Sequence, residues 1–379
     1  MFLPRLRTPR PPVASLLLLL ILSGAACQWT GTSRPLQARL PDGTCRALVP
    51  SVPGESSVAV EWVTPREAVQ VASLNRWCNA VGPVVAITAA DSREAGVVDE
   101  LAILTWNVHV GAGDIETVVR RLRSGTLTGG QPMPHFVLLL QEAHRAGAAV
   151  PRVLGSSVEL PGAILPGTPG RPRQDVAAVA ARLNLHLYYV PSMRNGRPLE
   201  TNEDRGNAIL STLPLSSLAA IELPFERQRR VTIAAEIGAR TSRGEPWSFT
   251  VVSTHLDNLV GLRSAWIFAG PARQRQARGV VDALPAETPA IVGGDLNSWF
   301  GYRDPAYLEF ARSFPGTPRG DTRPTFGGLL RLDHLFFRLP DGWSGSHRRL
   351  DDRFGSDHHP VLGIVRRDGG VHTSGAVRD

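Results

Sequence analysis

Residues 290–298 read AIVGGDLNS: an apolar run, two glycines, then Asp295 and Asn297 on either side of a leucine. The run is too short for a helix and begins after Pro289, so it predicts a strand over 290–295 that ends in a carboxylate. The same form recurs along the chain. LTWNVH ends a strand in Asn107, and LLLQEAH brings Glu142 out of an apolar run. VVSTHLDN carries His255 and Asp257, LRLDHLFF carries Asp333, and GSDHHPV carries Asp357, His358 and His359. Polar residues at the C-terminal ends of so many strands are hard to explain by structure alone.

Working outward, strands are predicted over 101–110, 135–142, 185–190, 207–211, 231–237, 247–256, 332–337 and 361–365. Asp114 caps a helix over 115–123, an Ala- and Val-rich helix covers 175–183, and a longer one over 263–284 is interrupted by Gly270-Pro271. Asp304 followed by Pro305 is a cap and first-turn proline for a helix to about residue 314. Nine strands with interspersed helices suit one α/β (α+β) domain with more than one sheet, over 101–366. Residues 27–100 have little periodicity, with short apolar stretches at 57–63 and 81–87, and read as an extension packed on that domain. Residues 367–379 are Gly-rich and polar, a frayed tail.

The 379 residues are 42% hydrophobic and 20% charged, which excludes a disordered chain and a multi-span membrane protein. Every basic residue is arginine. Arg5, Arg7 and Arg10 precede a short Leu-rich run ending in Gly24-Ala25-Ala26, the pattern of a signal peptide over 1–26. Without those three arginines the formal charge falls from +7 to +4, a balance compatible with anionic partners but too mild to require nucleic acid. Cys27 follows the small residues as in bacterial lipoproteins, although Gly24 stands where leucine is usual. A periplasmic or extracellular protein, attached to a membrane through lipidated Cys27, is the expectation. Cys45 and Cys78 then remain as an even pair for a disulfide, with two buried thiols as the alternative.

A carboxylate emerging from an apolar strand is costly unless it is paired, hydrogen-bonded or on a metal. Several converging carboxylates repel one another. A divalent cation relieves that repulsion, and carboxylate and amide oxygens favour Mg²⁺ or Mn²⁺ over Zn²⁺. Histidines beside carboxylates supply a base and an acid.

The ordered set WN, QE, STHL, GDLN, LDH and SDH resembles the endonuclease/exonuclease/phosphatase superfamily, from about residue 101 to 366. The resemblance implies a four-layer α-β-β-α sandwich, two mixed sheets packed face to face with outer helices, and a site at one end. It implies Asn107, Glu142 and Asp357 as metal-site residues, His358 as general base and Asp333 as the aspartate that orients it. It assigns Asp295 and Asn297 to the attacking water and a phosphate oxygen, and His255 to phosphate binding and to assistance of the leaving group. Asp204 is the expected partner of His255 and Asn207 is expected to shape the phosphate site, while Arg227, Arg229 and Arg230 could contact phosphate as a fork or form a solvated strand edge. His334 stands where the family has tyrosine. Arg273 and Gln276 read as helix surface or packing residues, and His359 as structural. The implied reaction is metal-dependent hydrolysis of a phosphodiester by in-line attack of water. A nuclease and a phospholipid or sphingomyelin phosphodiesterase both fit, a phosphomonoesterase is a third reading, and a catalytically silent binding module is the rival from another class.

Overall fold

Side-chain alternation in the strands decides the layering. The computed structural model describes residues 37–39, 47–48, 59–65, 74, 77–90, 96–151, 172–195, 201–226, 228–258 and 265–368. The chain divides into two compact units, 1–36 and 37–379. The expected signal peptide, Cys27 and Arg227 lie outside the described residues, as does the tail from residue 369. No helix among the described residues is long and apolar enough to cross a membrane.

In chain order the second unit holds β1 (Gln37–Arg39), β2 (Ala47–Leu48), β3 (Glu61–Pro65), β4 (Val84–Ile87), β5 (Glu100–Asn107), α1 (Ile115–Arg123), β6 (Phe136–Ala146), α2 (Val176–Leu183), β7 (His186–Asn195), β8 (Glu203–Ser211), β9 (Ser216–Glu222), β10 (Val231–Arg240), β11 (Pro246–His255), α3 (Ala265–Ala283), β12 (Ala290–Asp295), α4 (Pro305–Ser313), β13 (Asp333–Arg338), β14 (Trp343–Arg349) and β15 (Val361–Arg367). One sheet runs β1-β3-β9-β10-β11-β12-β13 and the other β14-β15-β5-β6-β8-β7-β4-β2.

Leu101 and Ile103 of β5 and Leu139 of β6 pack with Val251, Ile291 and Phe337 in a buried cluster between the sheets. The intervening residues point the other way, as the pleat requires. Ala102, Leu104 and Trp106 lie under Val118, Val119 and Leu122 of α1 and Val176 and Val179 of α2. Val252, Val292 and Phe336 lie under Val280 of α3 and Phe310 of α4. The result is the expected four-layer sandwich.

Asp114 caps α1 by accepting from the Thr117 amide, and Asp304 caps α4 ahead of Pro305. The break expected at Gly270-Pro271 does not occur, for α3 runs through Pro271. Proline removes one helical hydrogen bond, and burial of Ala272, Ala277 and Val280 holds the helix together across it. Within residues 101–366 two strands, β9 and β14, are additional to those expected, as are the short β1 and β2 ahead of them. The sequence of β9, SSLAAIE, is rich in Ser and Ala, and β14 is an edge strand with no buried residue, so neither carries a strong apolar signal.

The extension contributes strands to both sheets: β3 pairs with β9 and β4 pairs with β7. Asp204 fastens it. On β8, Ile209 faces the inter-sheet core while Ala208 and Leu210 face outward, so by alternation Asp204 points outward and Arg205 inward. There Asp204 accepts from Arg145 Nε at 3.0 Å, Tyr189 Oη at 2.8 Å and the Gly82 amide at 2.8 Å. Arg145 in turn donates to the Pro83 carbonyl. The expected pairing of Asp204 with His255 therefore does not form. Cys78 is disulfide-bonded; its expected partner, Cys45, lies outside the described residues.

Asp204 is fully buried and Arg145 nearly so. Asp204→Ala strands that cation and is expected to cost about 3–5 kcal/mol of unfolding free energy. Denaturant titration of the full chain checks this, and a loss within ordinary surface-mutation scatter contradicts it.

Candidate active site

Along the inner faces of the two sheets, successive positions grade from apolar to polar. In one sheet Val251, Ile291 and Phe337 stand abreast, then Ser253, Gly293 and Leu335, then His255, Asp295 and Asp333. In the facing sheet the sequence along β5 and β6 is Ile103 beside Val137, Thr105 beside Leu139, then Asn107 beside Gln141. A Cβ on Gly293 would lie 2.7 Å from Leu139 Cδ1 and 2.8 Å from Thr105 Cβ, so a glycine permits the close approach of the sheets beneath the polar rung. Gln141 Nε2 donates to Ser253 Oγ at 3.0 Å, and Asn207 Nδ2 donates to the Val231 carbonyl at 2.7 Å. Asn207 thus ties the sheets together behind the site.

Asp295 is the centre. Its Oδ2 accepts from Asn107 Nδ2 of the opposite sheet at 3.0 Å and lies 3.4 Å from His255 Nε2 and 3.8 Å from His358 Nε2. Its Oδ1 accepts from the Asn297 amide at 2.9 Å. Asn297 has a left-handed backbone and donates from its side chain to the Leu256 carbonyl at 2.9 Å. Burial pushes the Asp295 carboxyl above the ordinary carboxylate range, with His358 opposing and Asp333 adding to the rise.

His358 Nδ1 donates to Asp333 Oδ2 at 2.8 Å, and Phe326 packs on the ring with centroids 4.7 Å apart. Burial alone would discharge this imidazole, but the carboxylates of Asp333 and Asp295 outweigh it and raise its pKa. The donor atoms of Asp295, Asp333 and His358 lie within 4.8 Å of one another. Because His358 Nδ1 and Asp333 Oδ2 are spent on each other, this trio reads as a proton relay whose free nitrogen, Nε2, faces Asp295.

The metal-site candidates gather around His109. Its Nδ1 lies 2.8 Å from Asp357 Oδ2, and both Asp357 and Glu142 act on its charge. His109 itself was not singled out from the sequence, although it is the last residue of WNVH. Glu142 sits where the β6–β8 register shifts, and its φ of 53° is left-handed. A bulge of this kind re-aims a side chain. Among the described residues no hydrogen bond or ion pair holds the Glu142 carboxylate. The half-buried, uncommitted Glu142 carboxylate, Asp357 and the Asn107 amide oxygen, which accepts from the His109 amide at 3.0 Å, are the kind of oxygen donors a hard divalent cation takes.

Not every expected residue reaches this pocket. Arg229 closes its fork on Glu222, at 2.8 and 3.0 Å, and is not available to a phosphate. Arg230 does reach it, with Nη1 3.1 Å from His255 Nδ1. Arg205, unremarked in the sequence, points inward and feels the charge of Glu142. His334 faces the outer side of its strand and bonds Ser298 Oγ at 2.8 Å, so its departure from tyrosine lies away from Asp295. Arg273 is a fully buried partner of Asp304, and Gln276 accepts from the Asp257 amide; neither is a surface residue. His359 is structural, bonding the Leu350 carbonyl. Trp299 and Phe300, directly after Asn297, are 41% and 51% exposed.

Residues 104–358, more than half of the chain, match the model of the Endonuclease/Exonuclease/phosphatase family. No curated protein matches the chain. Similar solved structures include an endonuclease/exonuclease/phosphatase from Beutenbergia cavernae, 20% identical over 72% of each chain with a TM-score of 0.49. They also include a Staphylococcus aureus beta toxin mutant with bound magnesium ions, 12% identical over 70% of this chain and 99% of that one (TM-score 0.39). An AP endonuclease from Archaeoglobus fulgidus is 16% identical over 69% of this chain and 98% of that one (TM-score 0.40). With its sequence matched from β5 to His358 itself, the chain belongs to the endonuclease/exonuclease/phosphatase family of phosphoester hydrolases.

Proposed function

We propose that the protein is an exported, Mg²⁺- or Mn²⁺-dependent phosphodiesterase, an endonuclease in the first reading. The observation that carries this is the single buried rung in which Asp295 meets Asn107, His255 and the His358–Asp333 pair. Glu142, Asn107 and Asp357 would hold the cation, which neutralises phosphate charge and favours the leaving oxygen when bound. His358, held by Asp333, takes a proton from water at Nε2. Asp295 orients that water, and Asn297 holds Asp295 through its amide. His255 donates to a phosphate oxygen. The water oxygen bonds to phosphorus as the opposite P–O bond breaks, and the leaving alkoxide is protonated by solvent. Arg205 and Arg230, both buried, add positive charge around His255, which suits an anionic phosphodiester. The exposed Trp299 and Phe300 at the GDLN turn, with Leu329 at 85% exposure close to Phe326, favour a lipid phosphodiester as the second reading.

Glu142→Ala and His358→Ala are each expected to cut turnover about 10²–10⁴-fold without loss of secondary structure. The Glu142 variant should recover part of its rate at high Mg²⁺. Plasmid DNA, bis-p-nitrophenyl phosphate and sphingomyelin serve as substrates, and near-normal turnover in either variant contradicts the assignment. Export rests on the leader alone: Cys27→Ala is expected to move the protein from the membrane to the soluble fraction, and an unchanged distribution argues against lipidation.

A pH experiment tests the relay. The carboxylates raise the pKa of His358, so in metal-free protein its imidazolium should persist above the ordinary value of 6.5 and be lost only as pH rises further. Adding Mg²⁺ should move that midpoint downward, toward the neutral form a base needs. A metal-free midpoint at or below 6.5 by histidine NMR rejects the pairing.

A further inference from the structure

His255 stands beside an arginine where a carboxylate was expected, and the exchange fixes its chemistry. A guanidinium offers only donors and stays protonated throughout the accessible pH range. With Arg230 Nη1 at 3.1 Å, His255 Nδ1 must accept, and the ring proton resides on Nε2. That nitrogen faces Asp295 Oδ2 at 3.4 Å. Both side chains are 5% exposed, so water does not compete for Nδ1. Arg230 is itself held, donating from Nη2 to Gln228 Oε1 at 2.8 Å. The charged groups facing the ring are Arg230, Arg205 of β8, His358 and Asp295. Burial and the first three all oppose a second cation there.

We infer that Arg230 is a positioning residue that locks His255 as the neutral Nε2–H tautomer, so that His255 gives a phosphate oxygen a hydrogen bond but never hands its proton to the leaving group. The role in turnover rests on the phosphodiesterase reading; the tautomer does not. Paired with an aspartate, the same ring would carry its proton on Nδ1 and become imidazolium readily, the state of a general acid. Paired with Arg230 it is confined to the transition-state-stabilising role. Only one proton then moves through protein groups in each turnover, from water to His358.

Two measurements test this on the full chain. Nitrogen-resolved histidine NMR, with His255 assigned by loss of its signals in His255→Gln, should show a bare Nδ1 and a protonated Nε2 from about pH 5 to 8. An imidazolium pattern near pH 6, or a proton on Nδ1, overturns the inference. In Arg230→Met the lock should be gone and the ring should exchange tautomers or titrate; an unchanged pattern also overturns it. The second measurement compares leaving groups. His255→Gln should lose the same factor, about 10²-fold in kcat, on DNA and on bis-p-nitrophenyl phosphate. A loss confined to the poor alkoxide leaving group identifies a general acid and overturns the inference. Arg230→Met should lower kcat more than it raises KM, with partial rescue by Arg230→Lys. If the wild-type protein cleaves no phosphodiester, the proposed reaction fails while the NMR result still decides the tautomer.

Discussion

A carboxylate at the seam between two sheets is the constraint on which this site is built. Asp295 is desolvated by the packing that closes the sandwich, and an uncompensated charge there would cost several kcal/mol. Asn107 reaches across from the other sheet, the Asn297 amide comes from the turn that follows, and His358 is brought in beside β5 ahead of β15. Neither Asn107 nor Asp295 can shift by a residue along its strand without turning its side chain to the opposite face. The stability of the inner core and the geometry of the site are therefore set by the same register.

The cost of this arrangement is visible in the backbone. Glu142, Asn297 and His109 all adopt left-handed φ values although none is glycine. Asp333 Oδ1 and Arg230 Nε are buried without a hydrogen-bond partner. Such departures are expensive and persist where surrounding packing over-determines them. Glu142, Asn297, Asp333 and Arg230 bring several such departures to one polar rung, and Gln141 Oε1 beneath it is likewise buried without a partner.

Much of this was legible in the sequence, and the limits are physical. The strand at 290–295 has the predicted bounds because an apolar run and a GDLN turn define it locally. The caps Asp114 and Asp304 were readable for the same reason. The partner of His255 was not readable. Choosing between Asp204, Arg205 and Arg230 requires knowing which face each residue takes in its strand, and that parity is fixed by long-range pairing. Likewise Arg229 and Arg230 are adjacent, yet one closes on Glu222 and the other opens onto His255. The bulge that aims Glu142 leaves no composition signal, and β9 and β14 are too poor in large apolar residues to announce themselves.

The N-terminal strands have a further consequence for how the molecule guards itself. Without β3 and β4, the outer margins of β9 and β7 would present open rows of amides and carbonyls, a template on which a second chain could grow. Trp62 instead comes to lie opposite Ala220, and Val85 opposite Tyr189. These guards are synthesised early, and their berths are synthesised late. Each margin therefore finds its cover already made when it forms, which shortens the interval in which half-formed molecules could adhere edge to edge.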